Sequence, residues 1–141
     1  MSLNWHTEKI PLNKFGENSA IAPVSATTTF YGSEADYKRR VLAAKFYSQG
    51  AITGLGTAMY TIGLYAGSTK IAELIFTTGT DHVANDYTDL VMEAANAADT
   101  TAIISADVTL TCSALKTGSP GNLHTNSLVC VTLAPVEIVD R

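Results

Sequence analysis

Residues 57–66, TAMYTIGLYA, alternate without interruption. Ala58, Tyr60, Ile62, Leu64 and Ala66 fall on one side, and Thr57, Met59, Thr61, Gly63 and Tyr65 on the other. Successive side chains leave a β-strand in opposite directions, so a period of two specifies a strand with one face in a core and the other toward solvent. Ala66-Gly67-Ser68-Thr69 then supplies turn chemistry. Lys70 to Thr77 alternates again, with Ala72, Leu74 and Phe76 opposite Ile71, Glu73 and Ile75. Two alternating runs around a short glycine-containing loop predict a β-hairpin.

A third run, Ala106 to Leu115, sets Val108, Leu110, Cys112 and Ala114 against Asp107, Thr109, Thr111 and Ser113. Beyond the loop 116–122, Ser127 to Val139 is rich in Val, Leu, Ile and Thr, with Pro135 marking an edge position or a bend. These two runs are expected to form a second hairpin with a long loop. Symmetry about Gly121 would set Cys112 opposite Cys130, a candidate cross-strand thiol pair. The alternative is two small hydrophobic residues kept reduced. No CxxC motif is present, which argues against a zinc ribbon or a thioredoxin-type site.

Two stretches admit more than one assignment. Residues 37–48, YKRRVLAAKFYS, alternate as a strand, yet Ser33 with Asp36 three residues on is also a capping pair for a helix; the strand is expected. In 86–98, Tyr87, Leu90, Val91, Ala94, Ala95 and Ala98 follow helical spacing behind Asp86, which predicts one short helix. Residues 1–30 carry no sustained period and contain Pro11, Gly16 and Pro23, so they are expected to form an extended N-terminal arm. The remainder, 31–141, is expected to be a single all-β domain, an antiparallel β-sandwich or jelly-roll.

Composition narrows the roles open to such a domain. Only 16% of the 141 residues are charged, against roughly 25% in an average soluble domain, while Thr and Ala contribute 19 residues each. The net charge of −4 argues against a nucleic-acid partner, because phosphate contacts need clustered Lys and Arg. Six of the nine basic residues lie before position 46. They include Lys38-Arg39-Arg40, either a solvated face or a salt-dependent contact with an acidic surface. The arm's apolar Trp5, Ile10, Leu12 and Phe15 must rest on the protein's own body or on a neighbouring subunit. Together with Lys38, Arg39 and Arg40 they are the candidate intersubunit contacts, and removing residues 1–30 is expected to weaken assembly more than folding. No apolar run reaches the roughly 18 residues of a membrane helix, and Met1-Ser2-Leu3-Asn4-Trp5-His6 does not read as an export signal.

No catalytic or cofactor signature emerges. His6, His82 and His124 match no compact metal-ligand pattern, and the adjacent Asp81 and His82 would point to opposite faces of a strand. Gly54-Leu55-Gly56-Thr57 lacks the third glycine and the following helix of a dinucleotide site. Gly67-Ser68-Thr69-Lys70 is better explained as a hairpin turn than as a phosphate loop. Glu73, on an otherwise apolar strand face with Ile71 and Ile75, is the carboxylate of most interest for acid chemistry, although an outward structural position is expected.

The Thr-, Ala- and Gly-rich strands of TAMYTIGLYAGSTKIAELIFTTGT, the arm before them and the C-terminal SLVCVTLAPVEIV resemble the small β-sandwich virion proteins of tailed bacteriophages, of the capsid decoration or cement type. The resemblance is one of overall pattern over about residues 20–139. It implies a homo-oligomer, without enzymatic activity or cofactor, that stabilises a protein shell by contact with a major capsid or other virion protein, and hence location in the virion. A carbohydrate-binding or adhesin-like sandwich is the alternative. Its marks would be an exposed aromatic row, such as Tyr65 with Tyr60 or Tyr47, or calcium among Asp81, Asp86 and Asp89.

Overall fold

The computed structural model describes residues 6–12, 28–57, 59–93, 102–117 and 126–136. The strands, in chain order, are β1 (His6–Pro11), β2 (Thr28–Tyr31), β3 (Arg39–Ser48), β4 (Met59–Ala66), β5 (Thr69–Ile75), β6 (Asp86–Asp89), β7 (Val91–Met92), β8 (Ile103–Ile104), β9 (Leu110–Thr117) and β10 (Ser127–Pro135). They build two antiparallel sheets. The first has the order β1-β10-β3-β6, with β8 also paired to β3, and the second has the order β2-β9-β4-β5-β7. The protein is therefore an all-β sandwich, and the stretch 37–48 forms a strand from Arg39 on, β3. No α-helix occurs among the described residues, and none of them forms a helix long and apolar enough to cross a membrane.

The alternation seen in the sequence places the core. Tyr60, Ile62 and Leu64 of β4 turn inward with Leu110, Cys112 and Ala114 of β9. They meet Val41, Ala44 and Phe46 of β3 and Val129, Val131 and Leu133 of β10. Phe46 and Phe76 join the sheets edge to face, with ring centroids 5.5 Å apart. Each large apolar side chain taken fully from water contributes about 1.5–3 kcal/mol, so this interleaved layer is the main source of stability.

Three features depart from the sequence-based expectations. First, β9 and β10 do not form a hairpin: β9 pairs with β2 and β4 in the second sheet, and β10 with β1 and β3 in the first. Alternation reports which side chains turn inward but not which sheet a strand joins, because the inner faces of both sheets look alike. Secondly, Asp86–Met92 is extended rather than helical. β6 pairs with β3, Leu90 turns into the core, and β7 pairs with β5, so the chain steps from one sheet to the other and closes that side of the sandwich. The spacing of Tyr87, Leu90 and Val91 that imitates a helix arises from this change of sheet. Residues 94–98 of the expected helix lie outside the described residues.

Thirdly, the described part of the N-terminal arm belongs to the chain's own sandwich. β1 pairs with β10 along its whole length, from His6↔Leu133 to Pro11↔Leu128. Ile10 and Leu12 are only 1% and 0% exposed, so neither is available as the intersubunit contact expected of it. Ile10→Ala should lower stability by about 2–5 kcal/mol in urea unfolding, the range for large-to-small substitution in a packed core. Deleting residues 1–12 should abolish cooperative unfolding, in contrast to the sequence-based expectation that the arm serves assembly first.

Candidate functional site

The outward face of the second sheet is built from cross-strand rows. Tyr31, Thr111 and Tyr65 stand in register across β2, β9 and β4, and Ser113, Gly63, Glu73 and Val91 form the neighbouring row across β9, β4, β5 and β7. Leu115, Thr61 and Ile75 form a third. Thr and Ser fit such solvent-facing strand positions well, and their hydroxyls act as both donors and acceptors.

One extra residue in β5 shapes this face. Leu64 pairs with Ala72 but Tyr65 pairs with Lys70, leaving Ile71 as a bulge. Ile71 and Ala72 are both fully buried, so the side-chain parity changes there. In a regular strand residues three apart lie on opposite faces. Here Lys70 and Glu73 share the outer face, and Lys70 Nζ lies 3.2 Å from Glu73 Oε1 and 3.4 Å from Glu93 Oε1. The bond to Glu73 and the nearby negative charge raise the pKa of the Lys70 ammonium. Ile71 thus leaves the face on which alternation had placed it beside Glu73.

Gly63 is the second structural cause. A Cβ at this position would lie 2.7 Å from Tyr65 Cε1 and 3.1 Å from Ser113 Oγ. The Tyr65 ring therefore lies across the strand over Gly63. The outcome is an open groove of about 480 Å³, bordered by Tyr31 and Tyr65 and lined by Thr61, Thr111, Ser113 and Glu73. Tyr31 at the groove's far border is 74% exposed.

The remaining sequence candidates are dispersed. Arg39 is 1% exposed. Its Nη1 donates to Ser33 Oγ at 2.7 Å, and Nη2 donates to the Val108 carbonyl at 3.3 Å. Ser33 in turn donates from its backbone N–H to Glu8 Oε2 at 2.6 Å and from its hydroxyl to Glu8 Oε1. Arg39 thus helps to tie β1 to the segment after β2 and is not a surface contact. Lys38 is exposed, Arg40 is half-buried, and Trp5 and Phe15 lie outside the described residues. His82 is buried against Phe46, with Nδ1 2.8 Å from Thr88 Oγ1 and Nε2 3.2 Å from the Ser48 carbonyl. Its neighbour Asp81 accepts the Gly54 N–H at 2.8 Å, so the two do not act as a pair. A Cβ on Gly54 would lie 2.0 Å from the Thr77 carbonyl oxygen, so close packing of two loops accounts for glycine there. His6 is exposed on β1, and His124 lies outside the described residues.

Asp81, Asp86 and Asp89 do not converge. Asp86 accepts the Tyr87 N–H, Asp89 lies 3.8 Å from Lys45, and no metal-ligating cluster occurs among the described residues. The expected aromatic row is also rearranged: Tyr60 is buried, and Tyr47 pairs with Tyr87 on the first sheet at 5.1 Å. Tyr31, which precedes Gly32 in a stretch without periodicity, stands with Tyr65 instead. No protein-family model matches this chain, and no curated protein or solved structure matches it.

The two cysteines are not cross-strand neighbours. Cys112 turns into the core from β9, in register with Leu64, whereas Cys130 lies outward on β10 between Lys9 and Lys45. Burial pushes the Cys112 thiol up to about 12 from its ordinary 9.0. Burial also raises that of Cys130, opposed by Lys9 and Lys45. A thiol reagent should label Cys130 in the native protein and Cys112 only on unfolding. Because the unfolded chain ionises Cys112 above pH 9 while the folded chain holds the proton to about pH 12, this thiol leaves stability unchanged below pH 9 and lowers it progressively from 9 toward 12. Cys112→Ala should flatten that part of the urea-unfolding profile.

Proposed function

We propose that this chain is a non-enzymatic structural protein of a virion, of the capsid decoration or cement type, which self-associates and stabilises a protein shell through protein–protein contacts. The observation that carries the proposal is the β5–β7 edge of the second sheet. β7 is two residues long and, among the described residues, pairs with Ala72 and Glu73 alone. Its Val91 is 70% exposed, and Ile75 at the end of β5 is 40% exposed.

Sheet edges with apolar side chains favour pairing with another chain, and natural monomers guard them with charge. Lys70, Glu73 and Glu93 cluster toward one end of this edge; Val91 stands in register with Glu73, and Ile75 lies beyond it, away from the charges. A modest contact of this kind, repeated over a shell, gains strength through multivalency. The resemblance to phage decoration proteins in the strand-rich, weakly charged sequence supports the same role.

Size-exclusion chromatography with light scattering tests the proposal. The wild-type chain should form a discrete oligomer, and the double variant Ile75→Lys/Val91→Lys should run as a folded monomer. A wild-type monomer at high concentration, or an oligomer unaffected by the double variant, would remove this edge from the proposal. A gene neighbourhood of capsid, portal or tail genes is expected; polysaccharide-degradation genes would favour the carbohydrate-binding alternative.

A further inference from the structure

We propose that the groove on the outer face of the second sheet is a binding site for a neutral carbohydrate chain; it adjoins the β5–β7 edge, with which it shares Glu73, and its role is separable from assembly. Three observations converge on a ligand of that chemistry.

The first is the pair of tyrosines. Tyr31 and Tyr65 stand in register on either side of Thr111, with one strand between them, so their backbones are roughly 10 Å apart across the sheet. The Tyr65 ring lies against Gly63 and borders the groove. A pyranose offers a patch of C–H bonds on one face and hydroxyls around its rim. An aromatic ring face accommodates the former, while its phenolic oxygen reaches the latter.

The second is Gly63 itself. Its φ is not among the positive values found at Gly67 and Gly79, so its backbone conformation does not demand glycine. Glycine inside a strand weakens it and marks close approach by another group. What occupies the space is the Tyr65 ring, which also borders the groove.

The third is the polar complement. Hydroxyl groups of Thr61, Thr111 and Ser113 line the floor, and the Glu73 carboxylate stands at the end beside β5. Lys70, brought to the same face by the Ile71 bulge, donates to one oxygen of Glu73 and orients the carboxylate. A carboxylate accepts hydrogen bonds from neighbouring sugar hydroxyls and repels phosphate, sulfate and uronate groups. No lysine or arginine side chain lines the groove among the described residues. A neutral glycan fits this charge, and an anionic one does not. At about 480 Å³ the groove also falls within the usual range of small-molecule sites, about 300–1,000 Å³.

The test is a printed array carrying neutral and acidic glycans, followed by calorimetric titration with the best-bound neutral oligosaccharide. Saturable binding to neutral glycans is expected. Tyr65→Ala should raise Kd about tenfold, the upper range for losing an aromatic contact, and Glu73→Gln several-fold. Gly63→Ala should have an effect similar to Tyr65→Ala while removing no contacting group, because the added methyl displaces the ring. Tyr87→Ala, on the other sheet, should leave Kd unchanged. Far-UV circular dichroism and thermal midpoints check folding; if Gly63→Ala fails to fold, Tyr31→Ala and Tyr65→Ala carry the comparison.

Absence of saturable binding anywhere on the array overturns the proposal, as does a preference for acidic glycans or an equal effect of Tyr87→Ala. A change of oligomeric state in Tyr31→Ala without glycan would assign the groove to a protein contact and overturn it as well. Loss of oligomerisation in Ile75→Lys/Val91→Lys with glycan binding intact would separate the two surfaces.

Discussion

Burial of every second side chain between two antiparallel sheets is the constraint from which the other features follow. An inward position must be apolar or have its polar atoms bonded, since an unpaired buried polar group costs about 1–3 kcal/mol. Most polar atoms on the inner faces meet this demand, Arg39 Nε being an exception. Ser48 and Ser127 bond to each other at 2.9 Å, His82 uses both ring nitrogens, and Arg39 is held by Ser33 and the Val108 carbonyl. At one side of the sandwich Glu8 joins β1 to Ser33. At the other, the chain itself passes from β6 to β7 through buried Leu90.

The same parity governs the surface. The first sheet carries a charged outer row, Lys9, Cys130, Lys45 and Asp89, across four strands. The second sheet instead shows hydroxyl, aromatic and aliphatic side chains, with Lys70, Glu73 and Glu93 as a charged cluster among the described residues. That cluster exists because a single additional residue at Ile71 changes the parity of β5, the usual effect of a β-bulge in re-aiming a side chain. The low charge of the whole chain therefore has a location, and the location contains both an apolar sheet edge and a tyrosine-bordered groove.

These surfaces ask different things of a partner. The edge offers backbone hydrogen bonds and aliphatic contact, which suit another polypeptide. The groove offers ring faces, hydroxyls and one carboxylate, which suit a small polar ligand. Both are open surfaces, and in an assembly of the proposed kind both would gain from repetition.

The strands β4, β5, β9 and β10 and the inward residues of β4 and β9 were legible in the amino-acid sequence, because alternation of apolar and polar residues is a local property with a direct geometric meaning. The glycine turn after Ala66 was legible for the same reason. Glu8, Ile10 and Leu12 also alternate, but a charged inward residue and Pro11 conceal the pattern, and only the bond from Ser33 explains why Glu8 belongs there. The assignment of β9 and β10 to different sheets, the change of sheet at Leu90 and the parity shift at Ile71 were decided by tertiary structure. Each depends on which strand lies alongside, and one chain segment carries no record of its neighbour. The same holds for the groove. Tyr31 and Tyr65 are separated by more than thirty positions in the sequence, and it is the registers of β2, β9 and β4 that bring them to one face.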